Sequence, residues 1–269
     1  MDLLNLNSEL IIIEVSGSDA SSYLQGQLTN DIRELTTTPY QLAAHLNNKG
    51  RILATFMITA PSADTYYLIT SSSVAATILP RLKMFILRSK VNLALSSHSI
   101  YLSSAALSNC HSFTLATGQF LNIGPANLNA NIAQAQDLSK LLVELAIPMI
   151  YSATTEKIIP QQVNYDLIGG INFKKGCYTG QEIVARTHYL GKIKRRMVHF
   201  NTQWQPTRGQ PVVSPSLDNQ EVGFIIDYYP LEAGFRGRVA LQSDCCDSAF
   251  LDSANTQQLQ CSLIPNQAP

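Results

Sequence analysis

The residues best suited to chemistry lie in one short segment, residues 174–186, which holds Cys177 between two lysines and an apparent helix start. Thr179 and Glu182 have the Thr-x-x-Glu spacing of a capping box, in which each side chain satisfies the other residue's backbone N–H. This pattern places Cys177 about two residues before the first turn, where free N–H groups and the helix dipole favour negative charge. The position therefore predicts an available thiolate. A structural cysteine beside a Gly-rich turn is the alternative, and position alone favours neither.

Basic residues are concentrated in and just after this segment. Residues 174–196 include seven basic residues and one acidic residue, whereas the whole chain has a formal net charge of zero. The local excess can hold an anionic ligand, and a solvated basic face is the alternative. Zero net charge excludes a general attraction of the whole molecule to nucleic acid or acidic membranes.

Length and composition are typical of a globular protein with a large core. The 269 residues are 45% hydrophobic and 14% charged, which is enough for one large domain or two. Five cysteines without CxxC spacing and five scattered histidines argue against a disulfide framework and a zinc site. Residues 1–15 lack the basic start of a signal peptide, and no apolar run is long enough to span a bilayer. A reducing cytoplasm is the expected location.

The elements that must position Cys177 include a β-hairpin. Residues 41–46 and 52–60 have the composition of strands, and the polar turn between them carries the cations Lys49 and Arg51. Farther along, apolar residues at helical spacing predict an amphipathic helix over residues 132–146. Glu144 lies at the end of that helix, where the pattern alone favours a solvated carboxylate.

The character of the sequence changes after Gly191. Residues 192–201, 221–229 and 235–241 have the composition of strands, and a Pro/Gly/Ser-rich stretch follows the first of them. Short strands without intervening helices predict a small antiparallel barrel or sandwich. We therefore expect a core of residues 1–195 and a C-terminal domain of residues 196–269.

The octapeptide of residues 175–182, KGCYTGQE, together with Arg186, resembles the signature of the YgfZ family. Proteins of this family bind folate and are tied to the assembly and repair of iron–sulfur clusters. They form a branch of the superfamily that contains the glycine-cleavage T-protein, an aminomethyltransferase. Further blocks in the same order, spread over residues 9–196, are also similar to the family: residues 17–31, 46–51, 87–91, 144–148 and 159–164.

The resemblance implies an α+β fold, with a T-protein-like folate-binding core of mixed sheets and helices followed by a C-terminal antiparallel β-barrel. The core would bind tetrahydrofolate or a one-carbon derivative, and Glu144 would accept hydrogen bonds from the amino and ring N–H groups of the pterin. Leu138 and Leu141 stand where the family often has an aromatic residue. The other folate contacts expected from the resemblance are Asn47, Lys49, Arg51, Asn164, Tyr178, Gln181 and Arg186.

The resemblance also implies a role for the thiol. Cys177 would be the reactive residue and Lys175 would keep it ionised, in support of iron–sulfur enzymes that include tRNA-modifying ones. Folate and these client enzymes are the expected partners, with no membrane. No permanent metal is expected, because a stable cluster normally takes four cysteine ligands and the motif supplies one.

Two other functions belong to different classes. A folate-dependent one-carbon transferase or demethylase is disfavoured, because the T-protein branch has adjacent aspartates where this chain has Ala54 and Thr55. Neither side chain can act as a general acid or base. An RNA-binding module that uses residues 174–196 is disfavoured by the zero net charge and by the few aromatic residues of that segment. Direct nucleic-acid binding is therefore not expected.

Overall fold

Three five-stranded sheets carry the fold of the protein in a computed structural model, which describes residues 3–264. The first two sheets come from the N-terminal half of the chain, and four α-helices pack around the sheets. The strands are β1 (Leu4–Asn5), β2 (Leu10–Ser16), β3 (Gln41–Leu46), β4 (Ile52–Ser62), β5 (Thr65–Ser71), β6 (Asn92–Leu95), β7 (Ser99–Ser103), β8 (His111–Thr114), β9 (Phe120–Gly124), β10 (Asn131–Ile132), β11 (Arg195–Thr202), β12 (Pro211–Ser214), β13 (Gln220–Leu231), β14 (Gly234–Gln242) and β15 (Gln260–Ser262). The helices are α1 (Ala20–Gln27), α2 (Ala75–Lys83), α3 (Ala135–Glu144) and α4 (Gln181–Leu190).

The first sheet has the strand order β3-β4-β5-β2-β6 and contains the predicted hairpin. Strands β3 and β4 pair antiparallel from Gln41 opposite Ile58 to Leu46 opposite Ile52. All of β3 and most of β4 are buried, because helices α1 and α2 cover one face and the central core covers the other. Two covered faces explain why these strands are nearly continuous apolar runs rather than alternating ones.

The second sheet, with the order β10-β1-β7-β9-β8, is built from the part of the sequence with the weakest pattern. Strands β8 and β9 form an antiparallel pair within residues 103–130, which are rich in Ser, Ala and Asn. Helix α3 follows this sheet and is shorter than the predicted 132–146, because Ile132 belongs to β10 and Ala146 has a positive φ of 53°.

The third sheet has the order β12-β13-β14-β11-β15 and its ladders are antiparallel. Phe250 forms single bridges to Val213 and to Gln258, but the ladders among residues 3–264 do not close. The sheet is therefore open, and the expected C-terminal barrel is not confirmed. The antiparallel arrangement itself agrees with the sequence prediction.

The main hydrophobic core extends across the predicted boundary at residues 195/196. It joins Leu138 and Leu142 of α3 to Met197 of β11 and to Phe224 and Ile226 of β13. A smaller cluster lies within the C-terminal sheet alone. The third sheet is therefore packed firmly on the core, and the division into two domains stays a prediction. Within residues 3–264, no helix is long and apolar enough to cross a membrane.

Candidate functional site

Helix α4 begins at Gln181, and the residue that caps it is Gly180 rather than Thr179. Gly180 has a φ of +81°, and no side chain caps the helix, so the predicted capping box of Thr179 and Glu182 is wrong. Cys177 consequently lies three residues before the cap, on the turn that leads into it. The turn is closed by a hydrogen bond from the Gln181 N–H to the Tyr178 carbonyl, at 3.2 Å.

The start of α4 packs directly on the tip of the β3–β4 hairpin. A Cβ atom on Gly180 would lie 2.5 Å from the Asn47 carbonyl oxygen, and one on Gly50 would lie 2.7 Å from Cβ of Ile183. Only glycine allows such an approach at a positive φ. The hairpin tip is itself fixed by the Asn47 side chain, whose Oδ1 accepts from the N–H groups of Lys49 at 2.9 Å and Arg51 at 3.0 Å. Two glycines thus hold the Cys177 turn against the hairpin.

The thiol of Cys177 is exposed, whereas the next residue in the chain, Tyr178, is buried in the main core. The buried ring anchors the turn, and the sulfur beside it faces solvent. An exposed thiol on a fixed turn is accessible to a large partner, including another protein. This arrangement permits nucleophilic or exchange chemistry at the surface.

Lys175 has a structural position that the sequence does not reveal. Its Nζ donates to the carbonyl oxygens of Gln25 at 2.8 Å, Leu28 at 2.6 Å and Asn30 at 2.8 Å, and its side chain is buried. Burial lowers the pKa of Lys175 to about 8. An ammonium group has three N–H donors, and all three have acceptors here. Lys175 therefore fastens the motif to the end of α1 and has no N–H left for the Cys177 sulfur, and its expected role of keeping the thiol ionised stays a prediction.

Other predicted folate contacts are divided between the hairpin tip and α4. Lys49 is exposed at the tip, Gln181 forms the first turn of α4, and Arg186 is exposed farther along that helix. Arg51 donates to the Lys157 carbonyl and lines a cavity of about 340 Å³ with Arg195 and other residues. Within residues 3–264, the cavity that Arg51 lines does not include Glu144.

Glu144 and Asn164 contact the C-terminal sheet instead. The Oε1 atom of Glu144 accepts from the Tyr229 hydroxyl at 2.7 Å and lies 3.5 Å from Nε of Arg236. Burial and this carboxylate raise the pKa of Tyr229 to about 12. The Glu144 side chain is 46% exposed. Asn164 is buried and pairs with the backbone of Met197, donating to its carbonyl at 2.9 Å and accepting from its N–H at 3.3 Å.

A cavity of about 510 Å³ lies beside the first half of α3. Ser139 and Arg208 contribute polar groups to its wall, and Tyr228 and Phe235 contribute aromatic rings that meet edge to face at 6.0 Å. Cavities of this volume, mainly apolar with a few polar groups, are typical of small-molecule sites.

Sequence reasoning missed a buried charged cluster beneath this cavity. Asp227 is fully buried, and its Oδ1 accepts from the Ser139 hydroxyl at 3.0 Å and from Nε of Arg208 at 2.9 Å. Its Oδ2 accepts from the Tyr151 hydroxyl at 2.9 Å, and the Arg208 guanidinium lies 3.7 Å from the centre of the Tyr151 ring. The available signal was a single charge within an apolar strand, as in the stretch FIIDYY of residues 224–229.

The basic residues of segment 174–196 do not form one continuous face. Arg196 makes a bidentate ion pair with Asp166, at 2.7 and 3.0 Å, and also donates to the Gln161 carbonyl. Arg195 lies 3.9 Å from Glu221. Lys175 is buried as well. Three of the seven basic residues of this segment are therefore paired with groups of the protein itself.

No family model matches the chain. A crystal structure of the glycine cleavage system aminomethyltransferase T from Bartonella henselae is similar, with a TM-score of 0.68 over 99% of this chain and 86% of that chain. The chain shares its fold with this aminomethyltransferase. Sequence identity is 13%, so the similarity shows the fold alone. The finer resemblance to the YgfZ family stays a prediction.

Within this aminomethyltransferase-like fold, Ala54 and Thr55 lie buried on β4. The Thr55 hydroxyl accepts from the backbone N–H of Ile150 at 2.9 Å and lies 3.8 Å from the sulfur of Met149. At the two positions where the resemblance expects aspartates, the chain therefore has a methyl group and a hydroxyl that accepts a hydrogen bond from the backbone.

Proposed function

We propose that this protein binds tetrahydrofolate, or a one-carbon derivative, and supports iron–sulfur enzymes in the cytoplasm through the thiol of Cys177. The observation that carries the folate part is the state of Glu144. Only its Oε1 is engaged by protein groups within residues 3–264, and the carboxylate stands half exposed at the end of α3. A carboxylate in this state can accept the paired N–H groups of a pterin edge.

The surroundings of α3 support this proposal. The cavity of about 510 Å³ begins at Ser139, on the same helix as Glu144. Five residues separate the two, which corresponds to a rise of about 7.5 Å. The rings of Tyr228 and Phe235 offer apolar surface for a flat heterocycle or a benzoyl group, and Arg208 offers a cation for a carboxylate.

The thiol part of the proposal rests on the exposure of Cys177 and on the motif that surrounds it. The sulfur faces solvent on a turn held by Gly50 and Gly180, so that a client protein can approach it. Within residues 3–264, no group of His, Cys, Asp and Glu side chains is arranged to hold a metal ion. A stable cluster normally takes four cysteine ligands, so we propose that Cys177 acts on clusters or sulfur that belong to a client enzyme.

Aminomethyl transfer is not part of the proposal. Catalysis of that kind needs a group that binds or deprotonates the amine, and Ala54 and Thr55 provide no carboxylate. The RNA-binding alternative also lacks support, because Lys175, Arg195 and Arg196 are engaged within the protein.

Calorimetric titration with tetrahydrofolate and its formyl derivative tests the folate part. We expect saturable binding at one site, weakened about tenfold or more in Glu144→Gln, since a hydrogen bond to a charged group contributes about 1.5–3 kcal/mol. Glu232→Gln is the matched control, because Glu232 is exposed between β13 and β14. The absence of binding at millimolar ligand would contradict folate binding, and equal affinity in Glu144→Gln would remove Glu144 from the site.

A further inference from the structure

A row of polar side chains crosses the three central strands of the third sheet. His199 of β11 lies opposite Arg238 of β14, and Arg238 lies opposite Asp227 of β13. Residues directly opposite one another in an antiparallel ladder project from the same face of the sheet. Asp227 contacts Ser139 of α3 and the Tyr151 hydroxyl, so this face is the one that packs on the core.

Arg238, the middle member of the row, is fully buried and has no partner. Among residues 3–264, its Nε, Nη1 and Nη2 atoms have no hydrogen-bond partner. Burial lowers the pKa of Arg238 from its usual value, but a guanidinium stays protonated in proteins. A buried cation with no acceptor is strongly unfavourable, since buried charges are normally paired.

Asp227 interacts with Arg238 as a nearby charge but forms no hydrogen bond with it. Besides Ser139, Arg208 and Tyr151, its carboxylate accepts from the backbone N–H of Tyr228 at 2.8 Å. These four hydrogen bonds match the approximate number of lone-pair sites on a carboxylate. Two guanidinium groups therefore share one buried carboxylate, and the other nearby acid, Glu9, lies 3.9 Å from Nη1 of Arg208.

The imidazole of His199 adds a second group without a partner. The side chain is 5% exposed, and its Nδ1 atom has no hydrogen-bond partner among the described residues. As the neighbour of Arg238 in the row, His199 projects its ring from the same face of the sheet, and Nδ1 is a donor in the tautomer that carries the proton there. A guanidinium fork and an imidazole N–H together match the acceptor geometry of a carboxylate or phosphate group.

We propose that Arg238 and His199 bind a small oxyanion, a carboxylate or a phosphate, between the third sheet and the core. Ser139 and Arg208 line the 510 Å³ cavity and both contact Asp227, the neighbour of Arg238 in the row. Only the Asp227 side chain therefore links the residues that line this cavity to Arg238 in the row. This proposal shares the cavity with the folate proposal but does not rest on it, because none of this reasoning uses Glu144 or a pterin.

Thermal unfolding of the dialysed full-length protein, with acetate, phosphate or chloride at constant ionic strength, tests the inference. We expect the Tm to rise saturably with acetate, phosphate or both, relative to chloride, because a ligand that binds only the folded state stabilises it by mass action. A response to acetate alone identifies an organic acid as the ligand class, and a response to phosphate alone identifies a phosphate. Equal Tm values in all three salts would overturn the proposal, since Arg238 would then donate its hydrogen bonds to buried water only.

The variant Arg238→Met replaces the cation by an apolar side chain of similar length. We expect it to lose the oxyanion response and, in chloride, to be at least as stable as the wild type, because an apolar residue avoids an unpaired buried charge. Arg33→Met is the control, since Arg33 is 70% exposed, and it should keep the full response. An undiminished response in Arg238→Met would overturn the proposal.

Two further measurements keep the inference testable if Arg238→Met does not fold. Arg238→Lys retains the charge without the planar fork and should bind the oxyanion at least tenfold more weakly. A crystal grown with the effective oxyanion should show it within hydrogen-bond distance of Arg238, and water alone at that position would refute the site. Glu144→Gln should keep the oxyanion response, so that failure of the folate proposal is distinguished from failure of this one.

Discussion

The contact between the hairpin tip and α4 predicts a large penalty for Gly180→Ala. An added Cβ atom would lie 2.5 Å from the Asn47 carbonyl oxygen and 3.0 Å from Cα of Gly50, and both are backbone atoms. The Asn47 oxygen already accepts from the Gly50 N–H at 3.0 Å, so it cannot move without opening the turn. A left-handed conformation costs an alanine about 1–2 kcal/mol, and overpacking adds about 1–3 kcal/mol. We expect the free energy of unfolding to fall by about 2–5 kcal/mol.

Urea unfolding followed by circular dichroism measures this change, and Gly176→Ala is the matched control. Gly176 lies in the same motif, but an added Cβ meets no atom within 4 Å and its φ is not positive. The control should be neutral or stabilised by up to about 1 kcal/mol, because alanine restricts the unfolded chain. If Gly180→Ala were as stable as Gly176→Ala, the contact that holds the Cys177 turn would not exist in solution.

Three more substitutions test separate parts of the structure. Cys177→Ser should leave the free energy of unfolding within about 0.5 kcal/mol of wild type, because the side chain is exposed, yet abolish support of iron–sulfur enzymes in a deletion strain; full complementation would exclude the thiol. Asn164→Ala should cost about 2–4 kcal/mol in urea unfolding, because two buried backbone groups of Met197 lose their partner, and a loss below 1 kcal/mol would contradict this. Burial lowers the pKa of His45 to about 4 from 6.5, so the unfolded state binds the proton first and stability is lost as the pH falls through this window. Wild type should lose about 2 kcal/mol more than His45→Asn between pH 7.5 and pH 5.

Local patterns were sufficient to predict many of the elements. The hairpin expected from residues 41–46 and 52–60 is present as Gln41–Leu46 and Ile52–Ser62, and strands β13 and β14 begin and end within two residues of their predicted positions. These elements depend on apolar runs and turn residues that are close in sequence. The strands β8 and β9 have no such pattern, because their short segments owe their burial to the rest of the second sheet.

The errors at the candidate site have a common physical cause. Whether Thr179 caps α4 depends on the approach of Asn47, which is more than a hundred residues away in the sequence. The Nζ contacts of Lys175 depend on carbonyl groups of residues 25–30, and the environment of Arg238 depends on α3 and Tyr151. Sequence spacing predicts which side chains can react. Contacts between residues that are distant in the sequence decide which of these side chains already form hydrogen bonds within the protein.

The Cys177 turn and the polar row of the third sheet are joined by one buried segment. Gln161 donates from Nε2 to the Val184 carbonyl of α4 at 2.7 Å, and Asn164 pairs with Met197 of β11, the strand that also carries His199. Both side chains are at least 99% buried, so neither bond can be exchanged for a bond to solvent. A ligand that shifts β11 must therefore either carry the segment and α4 with it or break these bonds. Buried hydrogen bonds thus join the helix that follows Cys177 to the strand that carries His199, although the two residues lie on different elements.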